Sequence, residues 1–278
     1  MKGDDSLVCE IVITRSGARA IVDRNTGEVM HPVVGPAVES TQLYVEPSRL
    51  SDRLRDPQSQ SLVIADVGLG AGSNALAAWQ AAHRLRERTR RLEIVSFDRS
   101  LQAIECVIAS GDASSFGVDE RVAVAIHTLL RQGRYQDECV DWRLRLGNLP
   151  RTFAEEPDGS VDIVFWDPFS PKVNADLWSI ASFRAVHRLC RSGATLHTYS
   201  RSTAVRTALL LAGFVVGTGV MTGDSKETTV AALDVADLDR PLDRRFIDRL
   251  SRSSAAFPVD APSDAMATII ALPQFTAR

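Results

Sequence analysis

The chain has 278 residues, 45% hydrophobic and 24% charged, the balance of an ordinary globular protein and enough for one α/β domain with extensions. With 32 basic and 35 acidic residues the net charge is −3, so there is no whole-chain electrostatic footprint for nucleic acid, and any RNA contact falls to local patches. No apolar run approaches the roughly 20 residues that span a bilayer, no apolar leader follows Met1, and the cysteines (Cys9, Cys106, Cys139, Cys190) lack C-x-x-C spacing; a cytoplasmic protein is expected, with neither a zinc site nor disulfides.

Val8 to Thr14 and Ala18 to Asp23 alternate in polarity around Arg15-Ser16-Gly17, a hairpin signal, and residues 1–60 read as a small β-rich N-terminal extension. From Leu62 strands and helices alternate, which predicts a doubly wound, mostly parallel sheet with helices on both faces. Strands are expected at 62–67, 92–97, 142–146, 161–166, 194–199, 214–219 and 226–233. Helices are expected at 73–88, 100–110, 120–132, 149–155, 176–191 and 202–212, with Ser192-Gly193 and Ala212-Gly213 as C-terminal caps. The last two strands have no helix between them and should pair antiparallel. Arg84, Arg86, Arg88, Arg90 and Arg91 cluster at the C-terminal end of the first of these helices and read as a solvated face, away from the ligand crevice. The core is taken as 61–233 and the rest, 234–278, as a tail. That tail holds an Asp/Arg-rich stretch, an amphipathic helix to Ser251 and an apolar patch from Ala265 to Leu272, which would pack on the domain or on another subunit.

Ligands of open α/β sheets bind at the carboxyl ends of the strands. Three such ends carry chemistry. Leu62-Val63-Ile64-Ala65-Asp66-Val67 flows into Gly68-Leu69-Gly70-Ala71-Gly72-Ser73-Asn74, a loop that allows a tight turn and close backbone approach to a ligand. The next strand ends in Asp98, placed to accept both hydroxyls of a ribose. No Lys-Ser/Thr follows the glycines, so a nucleoside triphosphate fits poorly. The combination resembles the class I S-adenosylmethionine-dependent methyltransferases, whose cofactor carries no phosphate. The third end is Val161-Asp162-Ile163-Val164-Phe165-Trp166-Asp167-Pro168-Phe169, where an acid beside an aromatic ring suits an amino group.

A wider set of segments resembles the methyltransferase domain of the MnmC family, which completes 5-methylaminomethyl-uridine at the tRNA wobble position. The set is Gly27-Glu28-Val29-Met30-His31-Pro32, Gly35 to Ser40, the glycine loop, Asp167 to Asn174 with Leu177-Trp178, Thr198-Tyr199-Ser200, Val205-Arg206, Ala212-Gly213-Phe214 and Lys226-Glu227. It spans about residues 26 to 233, without the FAD-dependent oxidase domain of bifunctional members, like a stand-alone form. The resemblance implies S-adenosylmethionine as cofactor, tRNA as partner through its anticodon wobble region, and a separate oxidase or other upstream wobble-modification enzymes. It places Gly68, Gly70 and Asn74 along the methionine part of the cofactor, with Asp66 nearby, and Asp98 on the ribose. Asp167 would face the aminomethyl nitrogen. Phe169 and Tyr199 would touch substrate, and Lys172, Arg206 and Lys226 would lie near the RNA backbone or the site loops. Where the family often has Gly-Asp to accept the adenine amino group, this chain has Gly147-Asn148, and Asn148 can still accept through its side-chain oxygen.

Methyl transfer from a sulfonium asks mainly for positioning, and Asp167 is expected to orient the amine first and to act as a base second. Trp166 and Trp178 read as anchors rather than base-stacking platforms. His83, His127, His187 and His197 show no metal spacing. Other readings stay open: an N-methyltransferase of a small-molecule or peptide amine on the same fold, and a catalytically silent binding module; aminopropyl transfer to polyamines, on a related fold, normally has a longer glycine run than Gly68 to Gly72.

Overall fold

The computed structural model describes residues 8–276 apart from 15, 31–34, 59, 222–226 and 254. Strands β1 (Cys9–Ile13) and β2 (Arg19–Asp23) form an antiparallel hairpin. β structure in residues 1–60 goes no further among the described residues. Helix α1 (Pro36–Ser40), a π-helical turn Thr41–Val45 and helix α2 (Leu50–Arg55) follow, so the β-rich reading of this extension holds only for its first half. Pro36 opens α1 at a position where its missing N–H costs nothing.

The core then runs β3 (Leu62–Val67), α3 (Ser73–Arg84), β4 (Leu92–Asp98), α4 (Gln102–Ala109), α5 (Glu120–Gln132), β5 (Arg134–Gln136), β6 (Val140–Leu146), α6 (Leu149–Ala154) and β7 (Val161–Trp166). It continues with α7 (Ile180–Leu189), β8 (Cys190–Thr198), α8 (Thr203–Leu211), β9 (Val215–Met221) and β10 (Glu227–Ala232). The eight-stranded sheet has the order β5-β6-β4-β3-β7-β8-β10-β9. Every residue of β3 and of β7 is buried, as strands covered on both faces require. The chain goes from β3 to β4 and β6 on one side and crosses over to β7 and β8 on the other, and the crevice between β3, β4 and β7 at their carboxyl ends is the switch point where such folds bind ligands.

β10 lies antiparallel between β8 and β9, as expected of the final pair. The three-residue β5, antiparallel on β6, gives too short a pattern to read from sequence. One expected cap fails. α7 stops at Leu189 because Cys190 is already extended, and Gly193, with φ +78°, sits inside β8. There the ladder to β7 slips between Val161 and Ile163, so this glycine makes a bulge and not a helix end. Gly213 does follow α8 at φ +106°.

Hydrophobic cores line both faces of the sheet. One takes in Cys9, Ile21, Leu43 and Tyr44 from the N-terminal extension. The other takes in Phe246 and Leu250 of α9 (Arg244–Leu250), Ile269 of α10 (Ala265–Ile270) and Phe275 of α11 (Pro273–Thr276). The tail therefore packs on its own domain. Its Gln274 amide accepts from the Val216 N–H (2.9 Å) and donates to the Val216 and Leu242 carbonyls (2.6 and 3.0 Å), satisfying the open edge of β9. The arginine cluster divides: Arg84 and Arg86 are exposed, while Arg90 is buried and donates to the Gln60 and Ser61 carbonyls (2.8 and 3.0 Å). The difference arises because α3 ends at Arg84, and the chain then turns under the sheet.

Candidate active site

A cavity of about 650 Å³ opens at the switch point, within the range of cofactor sites. Gly68 and Gly70, Asp98 at the tip of β4, Asp167 at the tip of β7 and Tyr199 beyond β8 all line it. Gly68 has φ +89°, and a Cβ there would lie 2.7 Å from the Asp167 carbonyl oxygen, so only glycine lets the tips of β3 and β7 come this close. Asp98 accepts from the N–H groups of Gly70 (2.9 Å), Arg99 (2.6 Å) and Ser100 (3.2 Å), which ties the glycine loop to the β4 tip. Burial pushes the Asp98 carboxyl above its ordinary range against those three bonds.

Asp167 is held by two neighbours of the glycine loop. Its N–H donates to the Val67 carbonyl (2.9 Å), and the Asn74 amide, at the start of α3, donates to its carboxylate at 2.7 Å. Asn74 thus touches the site through Asp167 and does not itself line the cavity. Phe169 and Tyr199 close one wall. The Tyr199 hydroxyl donates to the Pro168 carbonyl (3.1 Å), and burial, then the charges of Asp167 and Glu28, hold the phenol above its usual range. Trp178 braces the same loop by donating to the Phe169 carbonyl (2.8 Å) while packing edge-on to Tyr199, which makes it an anchor, as expected.

Four further expected contacts are not brought to the cavity either. Asp66 is buried within the sheet, accepting from the Ser96 hydroxyl (2.6 Å), which in turn accepts from Trp142 Nε1 (2.9 Å). Asn148 is exposed beyond β6, with its carbonyl accepting from Arg151 and Thr152 N–H. Lys172 is exposed on the outer side of the Asp167 loop. Arg206 is buried: its guanidinium donates to Thr229 Oγ1 (3.0 Å) and the Thr228 carbonyl (3.1 Å), pinning α8 to β10 rather than reaching RNA. Lys226 and His31 lie outside the described residues.

Sequence reasoning missed the opposite wall. Glu28, Met30, Glu39 and Tyr44 come from the N-terminal extension and line the cavity. Glu28 accepts from the Ser170 N–H (2.9 Å) and from its hydroxyl, bridging the extension to the Asp167 loop. The segment from Gly27 to Ser40 stood out as family-like, but its pattern did not say which of its side chains would line the site. Asp23, Glu28, Glu39, Asp98 and Asp167 all face this space, and among the described residues Arg99 is its one lining cation. That donor set suits a cationic or amine-bearing ligand and offers little to a phosphate.

Elsewhere, His83, Asp137 and Cys139 present ligand atoms within 4.8 Å of one another. Asp137 is already occupied: it meets His83 Nε2 (2.8 Å), Tyr135 Oη (2.9 Å) and the N–H groups of Cys139 and Val140 (2.8 Å each). Arg121 lies 3.7 Å away, so a metal ion would meet a guanidinium.

Residues 121–234 match the model of an S-adenosyl-L-methionine-dependent methyltransferase family. The bifunctional tRNA 5-methylaminomethyl-2-thiouridine biosynthesis protein MnmC of Methylibium petroleiphilum is 30% identical over 213 residues, 74% of this chain and 32% of that protein. Its counterpart in Cupriavidus metallidurans is 33% identical over 180 residues, 62% of this chain and 26% of that protein. The crystal structure of MnmC2 from Aquifex aeolicus superimposes with a TM-score of 0.72 at 23% identity, covering 96% of this chain and 85% of that one. The chain is thus similar to MnmC proteins over about three quarters of its length, and it shares the fold of MnmC2. The chain spans between about a quarter and a third of the length of these curated relatives. A spermidine synthase from Thermotoga maritima shares the fold more loosely, with a TM-score of 0.53 at 12% identity.

S-adenosylmethionine is the family's cofactor, and the residues present fit it. The Gly68–Gly70 turn leaves a cradle that side chains would fill, with Met30 Sδ 3.2 Å from where a Gly70 Cβ would stand. Asp98 offers acceptors to a ribose, and the carboxylates around it suit a sulfonium.

Proposed function

We propose that this protein is an S-adenosylmethionine-dependent N-methyltransferase that converts an aminomethyl-uridine at the tRNA wobble position to its methylaminomethyl form. The observation that carries the reading is Asp167, held by Asn74 at the β7 tip and facing the same cavity as the glycine loop and Asp98. The tRNA assignment draws on what the similar MnmC proteins are named for.

S-adenosylmethionine, when bound, supplies an electrophilic methyl whose bond to sulfur breaks with its electron pair left on sulfur as the amine nitrogen bonds to carbon. The chain's residues have three tasks. Gly68, Gly70 and Asp98 hold the methionine and ribose parts. Asp167 accepts an N–H of the substrate amine and aims its lone pair into the cavity. An alkylamine is mostly protonated near pH 7, so Asp167, directly or through water, also takes the proton the nitrogen must shed. Positioning of this kind supplies at best about 7–11 kcal/mol of a barrier. Phe169 and Tyr199 give the flat uracil an apolar wall.

The amine must be made first, so an upstream enzyme has to deliver the primary aminomethyl group; a separate oxidase would serve. Among the described residues no helix is long and apolar enough to cross a membrane, and a tRNA substrate would place the protein in the cytoplasm. The acidic lining favours one second reading, a free small-molecule amine.

Purified protein with S-adenosylmethionine and tRNA carrying the aminomethyl-uridine is the direct test, read by nucleoside mass spectrometry. Methylaminomethyl-uridine should appear, and a deletion strain should lack it. An unmodified tRNA together with methylation of a small amine would replace the first reading with the second.

A further inference from the structure

Among the groups lining the cavity that the chemistry above does not use is Tyr44. Tyr44 is fully buried, yet its hydroxyl makes no hydrogen bond of ordinary geometry among the described residues. Its ring packs on Phe165 of β7, with centroids 5.4 Å apart and planes at 60°. That places it two residues along the strand from Asp167. The hydroxyl sits beside the Asp167 carboxylate and the backbone of Tyr199.

Local structure explains how it gets there. Helix α1 runs into the π-helical turn Thr41–Val45, whose widened geometry is marked by the bond from Glu46 N–H to the Thr41 carbonyl (2.9 Å). Such turns are rare and recur at functional sites. Packing on Phe165 needs only the ring. A buried hydroxyl costs free energy unless it is bonded, and the acceptor within its reach is Asp167. Burial, and then the charge of Asp167, keep the phenol protonated far above neutral pH, so toward this carboxylate it acts only as a donor.

We propose that Tyr44 is a positioning residue that fixes the Asp167 carboxylate for the amine. Asn74 donates from the glycine-loop side at 2.7 Å, and the Tyr44 hydroxyl, beside the same carboxylate, is the second donor we assign, from the π-helical turn. Pinned between two uncharged donors, the carboxylate cannot rotate, and its remaining lone pairs point into the cavity. Loss of the phenol O–H frees it to turn and to hold a proton to higher pH. This inference rests on Asp167 being the amine-facing acid. The other charged or titratable groups around it are Tyr199 just past β8, Asp23 at the end of β2, Glu28 after the hairpin, Glu39 on α1, and Asp98 and Arg99 across the cavity.

The test compares wild type with Tyr44→Phe by two readouts. One is titration of the Asp167 side-chain carboxyl by carbon-13 NMR, which needs no substrate. The other is the single-turnover rate of methylation of the aminomethyl-uridine tRNA. In Tyr44→Phe the carboxyl should titrate at higher pH and the rate should fall about 10- to 100-fold, with cofactor affinity within about twofold, the bound given by a substitution that leaves the glycine loop untouched. An unchanged titration overturns the proposal, as does a wild-type rate at every pH. If Tyr44→Phe fails to fold, 3-fluorotyrosine at position 44 keeps the shape and donates more strongly. The Asp167 titration must then move to lower pH, and a fixed one overturns the claim. A wild-type protein that leaves this tRNA untouched sinks the wobble-uridine reading alone, because the NMR comparison still decides the role of Tyr44.

Discussion

Two aspartates five residues apart on one strand end up with opposite work. Asp162, at the start of β7, is buried and accepts from the Val63 N–H at 2.8 Å. Guanidinium groups of Arg191, Arg53 and Arg90 stand 3.5, 3.8 and 3.8 Å from it. Asp167, just past the other end, has an uncharged amide as donor, two phenols nearby and a cavity in front of it. Charge-paired at the amino end, the acid closes the sheet's underside over α2 and the Arg90 loop. At the carboxyl end, where β3 and β7 part to make the crevice, it faces the space a ligand enters. Position in the topology decides the role, since the residue and the strand are the same.

Neutralising the two acids should therefore separate activity from stability. Asp167→Asn should lower the methylation rate about 100-fold or more, the largest effect expected anywhere in the chain, while urea midpoint and cofactor affinity stay near wild type. Full turnover in that variant would show that the acid neither orients nor deprotonates the amine. Asp162→Ala should do the reverse. Removing one member of a buried charge cluster costs about 3 kcal/mol, the low end of the usual range, because Arg53 and Arg191 keep 23% and 25% of their side chains in water. Chemical denaturation should show the loss, and the folded fraction should methylate at the wild-type rate. A variant of Asp162 that unfolded normally yet lost catalysis would erase the contrast.

Much of this contrast was legible in the residues. The mostly apolar runs of β3 and β7, each broken by one aspartate, announce strands buried on both faces, and Gly68, Gly70, Asp98 and Asp167 sit at strand tips, where topology assigns ligands. Asp66 misled for a definable reason: it lies inside β3, one residue short of the tip, so pleating sends it to Ser96 within the sheet. Arg206 misled because a cation in a family-like segment suggests RNA, whereas Thr228 and Thr229 of β10 offer it acceptors that no local pattern announces. The wall made by Glu28, Glu39 and Tyr44 was illegible because it depends on how an irregular segment folds back over the switch point. Short helices and a π-helical turn carry no period long enough to read.

The next effect is one of pH. His197 on β8 is buried, with Thr195 Oγ1 3.0 Å from its Nε2, and burial, helped by the charge of Arg53, lowers its pKa to about 3. Its folded pKa lies below the unfolded value, so the neutral ring belongs to the folded state. The contribution is complete above about pH 6.5, and it is lost as pH falls from there toward 3, at up to about 1.4 kcal/mol per unit. Stability measured by denaturant between pH 7 and 4 should fall less steeply in His197→Gln than in wild type. Parallel slopes would mean that this histidine is not the group taking up the proton on unfolding.

The smallest predicted effect asks whether the C-terminal tail belongs to the fold or merely rests on it. The Asp260 carboxylate accepts from the N–H groups of Ile180 and Ala181, both at 3.1 Å, at the first turn of α7. The Ser179 hydroxyl meanwhile accepts from the Ser182 N–H at 3.2 Å. Together they satisfy three of the four N–H groups a helix start leaves open, and the acid complements the helix dipole. The cap on α7 is thus supplied by a residue 80 positions away. Asp260→Ala should cost about 1 kcal/mol, seen as a small drop in thermal midpoint with the rate of methylation unchanged. Because α7 leads directly into β8, hydrogen exchange in the variant should quicken first at the amino end of α7 and leave β3 and the Asp167 loop protected. Equal quickening across the sheet would show that the tail stabilises the whole domain at once, and uniform protection would show that the cap contributes nothing.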